Sequence, residues 1–364
     1  MDCLKVAIVG CGRISELHEL GYRDCQDARI VAVCDKNRAL AEQKAQKLNA
    51  TAYTDYKELL KSPDIDIVEL LVPHHLHAPM TIAACNAKKH VSVQKPMALS
   101  VQEADQMIAA ANDNDVYFRV FENFMFYPPL VKVKSMIDNG VIGEPQMFRA
   151  HFNNGTLDSS WKIPLKAWIW RFDQKKCGGG PLVFDHGYHI FSIAQFLMGP
   201  VEKVSAWIDK SPVVITKSVD GPATIMLKFT NPRRYGVIDF AYTPQMKINS
   251  SYYADDNRFE IIGEKGIIIV NRCTTGTLDL PAVLLYKDGL TTEIETSRTD
   301  WKYSFIDATR HFIDAITFGT PPSLDGPAAK AVLQIALAAQ YSSAERREFD
   351  IEEVPFYAAA AAAR

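Results

Sequence analysis

The chain opens with LKVAIV running directly into GCGRIS, residues 4–15. An apolar strand that ends in a glycine turn and reopens as a helix suits few folds. Gly10 permits the tight turn, and Gly12 lets the backbone approach a pyrophosphate seated on the N–H groups at the helix start. Arg13 and Ile14 belong to the same loop and are candidate cofactor contacts. The third position of this fingerprint is Ser15 instead of glycine. Glycine pairs also make ordinary turns. What favours the nucleotide reading is context, a strand before and a helix after.

That context continues down the chain. Strand patterns at 4–9, 30–34, 65–72, 91–93 and 117–121 alternate with helical patterns at 14–25, 39–48, 79–87 and 101–112. Continuously apolar runs suit strands covered on both faces, and the alternation predicts a parallel doubly wound sheet. Ser100 and Glu103 read as a capping box for the last of these helices. Beyond residue 121 strand patterns follow one another across turns, with helices near 130–139, 183–198, 304–318 and 327–343. The fold expected is α/β. An N-terminal Rossmann domain covers 1–122, an α+β domain with a large, mostly antiparallel open sheet covers 123–357, and an Ala-rich tail covers 358–364.

Hydrophobic residues make up 48% of the 364 and charged residues 23%, which is ample for buried cores. The 40 basic and 43 acidic residues nearly cancel and form no long basic run, so neither nucleic acid nor an anionic membrane is an expected partner. No apolar run reaches about 18 residues, so no membrane span is expected. The first residues carry no secretory pattern, and a cytoplasmic protein is expected. Seven scattered cysteines without a CxxC pair read as free thiols.

Asp35 ends the second strand pattern. A carboxylate there accepts hydrogen bonds from an adenosine ribose and repels a 2′-phosphate, which favours NAD over NADP. Lys36 and Arg38 follow and pull the other way. The plainer reading makes Asp35 a turn or capping residue. VPHHLHAP, residues 72–79, follows the third long strand at the carboxyl edge of the sheet, where doubly wound folds bind ligands. Pro73, His74 and His77 are candidate cofactor contacts there, with loop and helix cap as the alternative.

GGGPLVFDHGYHIFSIAQFLMG, residues 178–199, reads as a glycine entry to an amphipathic helix. Asp185 and His189 stand four apart and share one face of such a helix. A carboxylate beside an imidazole orients it and raises its basicity, which suits a general base; an ordinary surface pair is the alternative. Adding His186 raises a metal reading, but no HExxH or acidic cluster accompanies it.

Together GCGRIS, Asp35, VPHHLHAP, the Gln94-Lys95-Pro96 triplet and GGGPLVFDHGYH resemble the Gfo/Idh/MocA family, the glucose–fructose oxidoreductase and inositol dehydrogenase group. The resemblance covers most of the chain. The family usually carries Glu-Lys-Pro, so Gln94 is a departure; a neutral amide still bonds a ribose hydroxyl, and Gln94 and Lys95 stand among the implied cofactor contacts. The resemblance implies that Lys95 contacts the reacting hydroxyl, Asp185 helps hold the substrate and His189 takes the proton. It implies an NAD-dependent oxidoreductase for a sugar, polyol or glycoside, forming homodimers or homotetramers. Asn123 and Tyr127, from ENFMFYP, and Trp168 and Arg171, from AWIWRFD, are candidate substrate contacts together with His186. No metal is expected. Two rival readings share this fold: a non-catalytic NAD-sensing regulator, since the family includes a yeast galactose-pathway repressor, and a glycoside-modifying enzyme working through a keto-sugar with tightly held NAD.

Overall fold

The computed structural model describes residues 3–156, 160–214, 217–271 and 273–357. The Ala-rich tail lies outside them. Contacts divide the chain into two units. The first comprises the chain up to Asn123 with Lys175–Gly178 and Phe305–Leu333; the second comprises Phe124–Gln174, Gly179–Ser304 and the chain from Gln334 on.

The first unit is built on β1 (Leu4–Val9), β2 (Ala28–Cys34), β3 (Thr51–Tyr53), β4 (Ile67–Leu70), β5 (His90–Gln94) and β6 (Phe118–Phe121). They pair in parallel in the order β3-β2-β1-β4-β5-β6. This is the doubly wound order whose crevice falls between β1 and β4. The connecting helices are α1 (Ser15–His18), α2 (Arg38–Leu48), α3 (Tyr56–Leu60), α4 (His77–Asn86) and α5 (Val101–Asp113). The apolar runs of β1, β4 and β6 are buried, as strands covered on both faces must be.

The helix expected over 14–25 is shorter, four residues of α1 and a 3-10 turn at Glu19–Gly21. Gly21 there meets the side chain of Thr309, within 2.3 Å of any added Cβ. The start of α5 also differs from the reciprocal box. Ser100 Oγ accepts the Glu103 N–H at 3.1 Å, but the Glu103 carboxylate reaches back to the N–H of Leu99. The carboxylate caps one residue earlier than the motif specifies.

The second unit carries α6 (Pro128–Asp138), β7 (Pro145–Asn154), α7 (Leu165–Trp168), α8 (Gln174–Cys177, of which the last three residues join the first unit) and α9 (Gly187–Met198). Then come β8 (Val201–Ile208), the antiparallel pair β9 (Ser211–Val214) and β10 (Lys217–Val219), β11 (Ala223–Phe229), β12 (Tyr235–Tyr242), β13 (Asp255–Gly263), β14 (Gly266–Val270), β15 (Val283–Lys287) and β16 (Leu290–Glu293). Helices α10 (Lys302–Phe318) and α11 (Gly326–Glu345) and the short β17 (Phe349–Asp350) end the chain.

Nine strands form one sheet, β16-β15-β14-β13-β7-β12-β11-β8-β17, antiparallel throughout except for β7 beside β12. In β11 buried and exposed residues alternate, the mark of a sheet with one covered face. Phe148, Phe152, Phe240 and Phe259 fill that face. The hydroxyls of Ser342 and Ser343 on α11 accept the N–H groups of Ala206 and Ile208, each at 2.9 Å, so backbone donors of β8 find partners.

Helix α10 lies far down the sequence, yet its Phe312, Ile313 and Ile316 share a core with Val6, Tyr22, Ala28 and Ile67. That contact brings 305–333 into the first unit. All seven cysteines are free thiols, and five are buried. No helix among the described residues is long and apolar enough to cross a membrane.

Candidate functional site

In the first unit the glycine turn is held from below. Gly10 has φ +101°, and an added Cβ would lie 2.2 Å from the Leu71 carbonyl oxygen. Glycine is therefore imposed by the fold itself. Gly12 is different: an added Cβ meets nothing within 4 Å. Among the described residues none crowds position 12, and the space beside it is open. Ser15 stands at the third glycine position. Its hydroxyl donates to the Gly12 carbonyl at 2.7 Å and closes the loop. Arg13 is exposed and pairs with Glu16 at 2.9 Å, while Ile14 is half-buried.

Asp35 makes the contacts of its turn reading. One carboxylate oxygen accepts the Cys11 N–H at 2.9 Å and the other the Asn37 N–H at 2.8 Å. The acid thus ties the end of β2 to the glycine turn, and each oxygen retains a lone pair for a ribose hydroxyl. Arg38 is paired with Glu42 across 3.5 Å.

The VPHHLHAP segment folds as a 3-10 turn leading into α4. Pro73 begins the turn. His74 is buried with Nδ1 2.9 Å from the Cys177 carbonyl. His77 is buried too, its two ring nitrogens 2.7 Å from the Pro96 carbonyl and 2.9 Å from the Val72 carbonyl. It straps the end of β4 to the segment after β5. Lys95 is half-buried just past the carboxyl end of β5. Gln94, beside it, accepts the Lys95 N–H and faces His18. Asn123, the last residue before the second unit, is buried.

In the second unit the glycine run serves a π-helical turn, Pro181–His186, that precedes α9. The Asp185 N–H reaches the Gly180 carbonyl at 3.0 Å, five residues back. The wide turn carries Asp185 and His186 into α9, which carries His189. Asp185 is joined by Arg171, whose Nε donates to Oδ2 at 2.9 Å. The guanidinium lies over Trp170 and Trp168, 4.4 and 5.0 Å from their ring centres.

His189 is buried and stacks flat on Phe124, with ring centres 4.2 Å apart and planes 8° apart. His186 meets it edge-on at 5.4 Å, stacks on Phe152, and lies 3.9 Å from Asp255. Arg171 with Asp185, and His186 with His189, are thus brought together in one unit. Tyr127, at the start of α6, is fully buried, and its hydroxyl donates to the Thr299 carbonyl at 2.9 Å.

Several participants were not legible in advance. Phe124 gave no signal beyond being aromatic. Asp255 heads a run of three buried polar residues, Asp255, Asp256 and Asn257, at the start of β13, and that run was a usable cue. Tyr253 lies near Arg171, Asp185 and Asp255; burial pushes its hydroxyl up in pKa. Asp220 is fully buried and accepts the N–H groups of Leu182, Val183 and Phe184 at 2.8 to 3.1 Å. Burial pushes its carboxyl up to about 6 against the pull of those donors. No group of three or more metal-ligating side chains occurs among the described residues.

Residues 4–122 match the Gfo/Idh/MocA oxidoreductase family, NAD-binding Rossmann fold, and residues 130–269 match the C-terminal domain of the same family. The chain is 29% identical over 357 residues to a myo-inositol 2-dehydrogenase of Thermotoga maritima, covering 96% of this chain and 99% of that one. It is 29% identical over 228 residues to a levoglucosan dehydrogenase of Pseudarthrobacter phenanthrenivorans, covering 58% and 57%. Among solved structures, a probable dehydrogenase from Thermotoga maritima superposes with a TM-score of 0.78 at 27% identity, over 96% of this chain and 100% of that one. The open space at Gly12 and the Asp35 carboxylate beside it fit NAD as the cofactor.

Proposed function

Because the chain belongs to the Gfo/Idh/MocA oxidoreductase family, we propose that it is a dehydrogenase for a secondary alcohol of a sugar, cyclitol or glycoside, with Lys95 and His189 acting on the reacting oxygen. Bound NAD supplies the hydride chemistry. The rest falls to side chains of this chain.

His189 takes the hydroxyl proton as the carbinol C–H bond breaks. The observation that carries this role is its flat stacking on Phe124 with His186 against its edge. A base so confined presents one orientation to the substrate, which a general base needs. Lys95, as an ammonium, stabilises negative charge growing on the oxygen.

Asp185 contributes with its charge already matched by Arg171. At Arg171 and Asp185 the substrate meets a hydrogen-bonding pair whose charges cancel, which suits polyol hydroxyls. The aromatic faces of Trp168 and Trp170 pack against the C–H faces of such a molecule. The full-length similarity to a myo-inositol dehydrogenase supports the same class.

The test is NADH formation with myo-inositol, levoglucosan and a wider sugar panel, repeated with a keto-sugar acceptor in case hydride is passed between two sugars. His189→Ala is expected to lower turnover about 10²–10⁴-fold with NAD affinity retained. Full turnover in that variant overturns the assignment.

A further inference from the structure

A buried chain of polar groups leads to the Lys95 backbone within the first unit. Glu69 on β4 is fully buried in a run otherwise apolar. One of its oxygens lies 2.6 Å from His18 Nδ1, and the other accepts the Tyr22 hydroxyl at 2.7 Å. Arg119 on β6, also buried, is the cation that balances it, and donates from Nε to Ser92 Oγ at 3.1 Å. Burial works to push the Glu69 carboxyl up; His18, Arg119 and the Tyr22 hydroxyl overcome it and hold it below its ordinary range. His18 packs against the rings of Phe121 and Phe305, and its Nε2 is 2.9 Å from Gln94 Nε2.

The protons along this chain are settled by its last link. Gln94 Oε1 accepts the Lys95 N–H at 3.0 Å, so its NH₂ is the group that faces His18. An amide NH₂ only donates, so His18 Nε2 accepts and carries no proton. The imidazole proton then sits on Nδ1 and is donated to Glu69. Turning the amide over would set NH₂ against the Lys95 N–H, and that bond would be lost.

We propose that His18 and Gln94 are positioning residues for Lys95: the run Glu69–His18–Gln94 holds the Lys95 peptide N–H and so fixes where its amine projects. A buried ionised network is seldom retained for stability alone, since apolar side chains of similar volume serve that purpose as well or better. This one ends on the backbone of a proposed catalytic residue. The inference rests on the reading of Lys95 given above. It also gives Gln94 a reason. A glutamate at 94 would set a second carboxylate on His18, which would then hold protons on both nitrogens, with Glu69, Tyr22 and Arg119 as its other polar neighbours.

The experiment compares Gln94→Leu, His18→Phe, Gln94→Glu and Lys95→Met for kcat, NAD affinity and melting temperature. Gln94→Leu leaves Glu69 and Arg119 in place and carries the test should His18→Phe fail to fold. It is expected to lower kcat about 10²-fold, the scale of a small misplacement, with NAD affinity within about threefold. Gln94→Glu is expected to add an ionisation to the pH–rate profile that disappears in His18→Phe/Gln94→Glu, a change that a purely structural role would not produce. Should Lys95→Met lose activity while Gln94→Leu keeps it, the positioning role is overturned and the role of Lys95 stands. A loss confined to NAD affinity in Gln94→Leu also overturns it and assigns position 94 to the cofactor. Full activity in Lys95→Met removes the reading on which the inference rests.

Discussion

The carboxylate of Asp220 fills the space that a side chain at Gly180 would need: an added Cβ comes within 2.2 Å of its Cγ and Oδ1. That one relationship explains the last glycine of the GGG run. The acid sits under the π-helical turn and accepts three of its N–H groups, and so sets the start of the segment that carries Asp185, His186 and His189.

Asp220→Ala leaves three buried donors without that acceptor, at about 1–3 kcal/mol for each unsatisfied group. A loss of at least about 3 kcal/mol in urea unfolding is expected, with turnover falling in the folded fraction. The pH dependence has a definite sign. The folded-state value of about 6 lies above the ordinary 3.8, so between them the folded chain keeps a proton that the unfolded chain has released. The contribution of this group therefore falls as pH rises from about 4 to about 6 and is level above that. Unfolding at a series of pH values checks this: a slope unchanged by Asp220→Ala would contradict it.

Gly10 and Gly12 are predicted to respond differently to the same substitution. Gly10→Ala combines positive φ with a backbone clash, and a loss of several kcal/mol or failure to fold is expected. Gly12→Ala should leave stability within about 0.5 kcal/mol. Its NAD affinity should fall at least about tenfold, because the new methyl stands where the cofactor approaches. Thermal melting with and without NAD separates the two effects. Equal affinity in Gly12→Ala would mean that the pyrophosphate does not pass there.

Asp35→Ala removes the acceptor for the Cys11 and Asn37 N–H groups and the charge beside the turn. Weaker NAD binding and a smaller preference for NAD over NADP are expected together. Titration with both cofactors reads both. A variant that loses NAD affinity but keeps its preference would show that the acid only shapes the turn.

Arg171 offers both an Nε–H to Asp185 and a flat face to two tryptophans. Lysine reproduces the charge but neither the fork nor the stacking. Both Arg171→Lys and Arg171→Leu are therefore expected to raise the substrate KM, by about tenfold or more, with NAD affinity unchanged. Full rescue by lysine would reduce the arginine to a point charge.

The parallel sheet was legible because its signal is local. Each apolar run states its own burial, and glycine turns punctuate the chain where strands end. The carboxyl edge of that sheet, with Lys95 beyond β5, follows from the same alternation. The Asp185–His189 spacing was legible too, but the π-helical turn at Pro181–His186 that carries Asp185 was not, because it depends on the buried Asp220 beneath it.

By itself the sequence determined the α/β class, the glycine turn with Asp35 in register, and which residue types stand at each strand end. These rest on the periodicity and turn chemistry of neighbours along the chain. Only the tertiary structure decided which buried polar groups meet. Glu69 and His18 are 51 residues apart, His18 and Gln94 76, and Asp220 lies 38 beyond Leu182. A buried charge is tolerated only with its partners in place, and those partners are chosen by the way strands and helices pack, not by spacing along one strand.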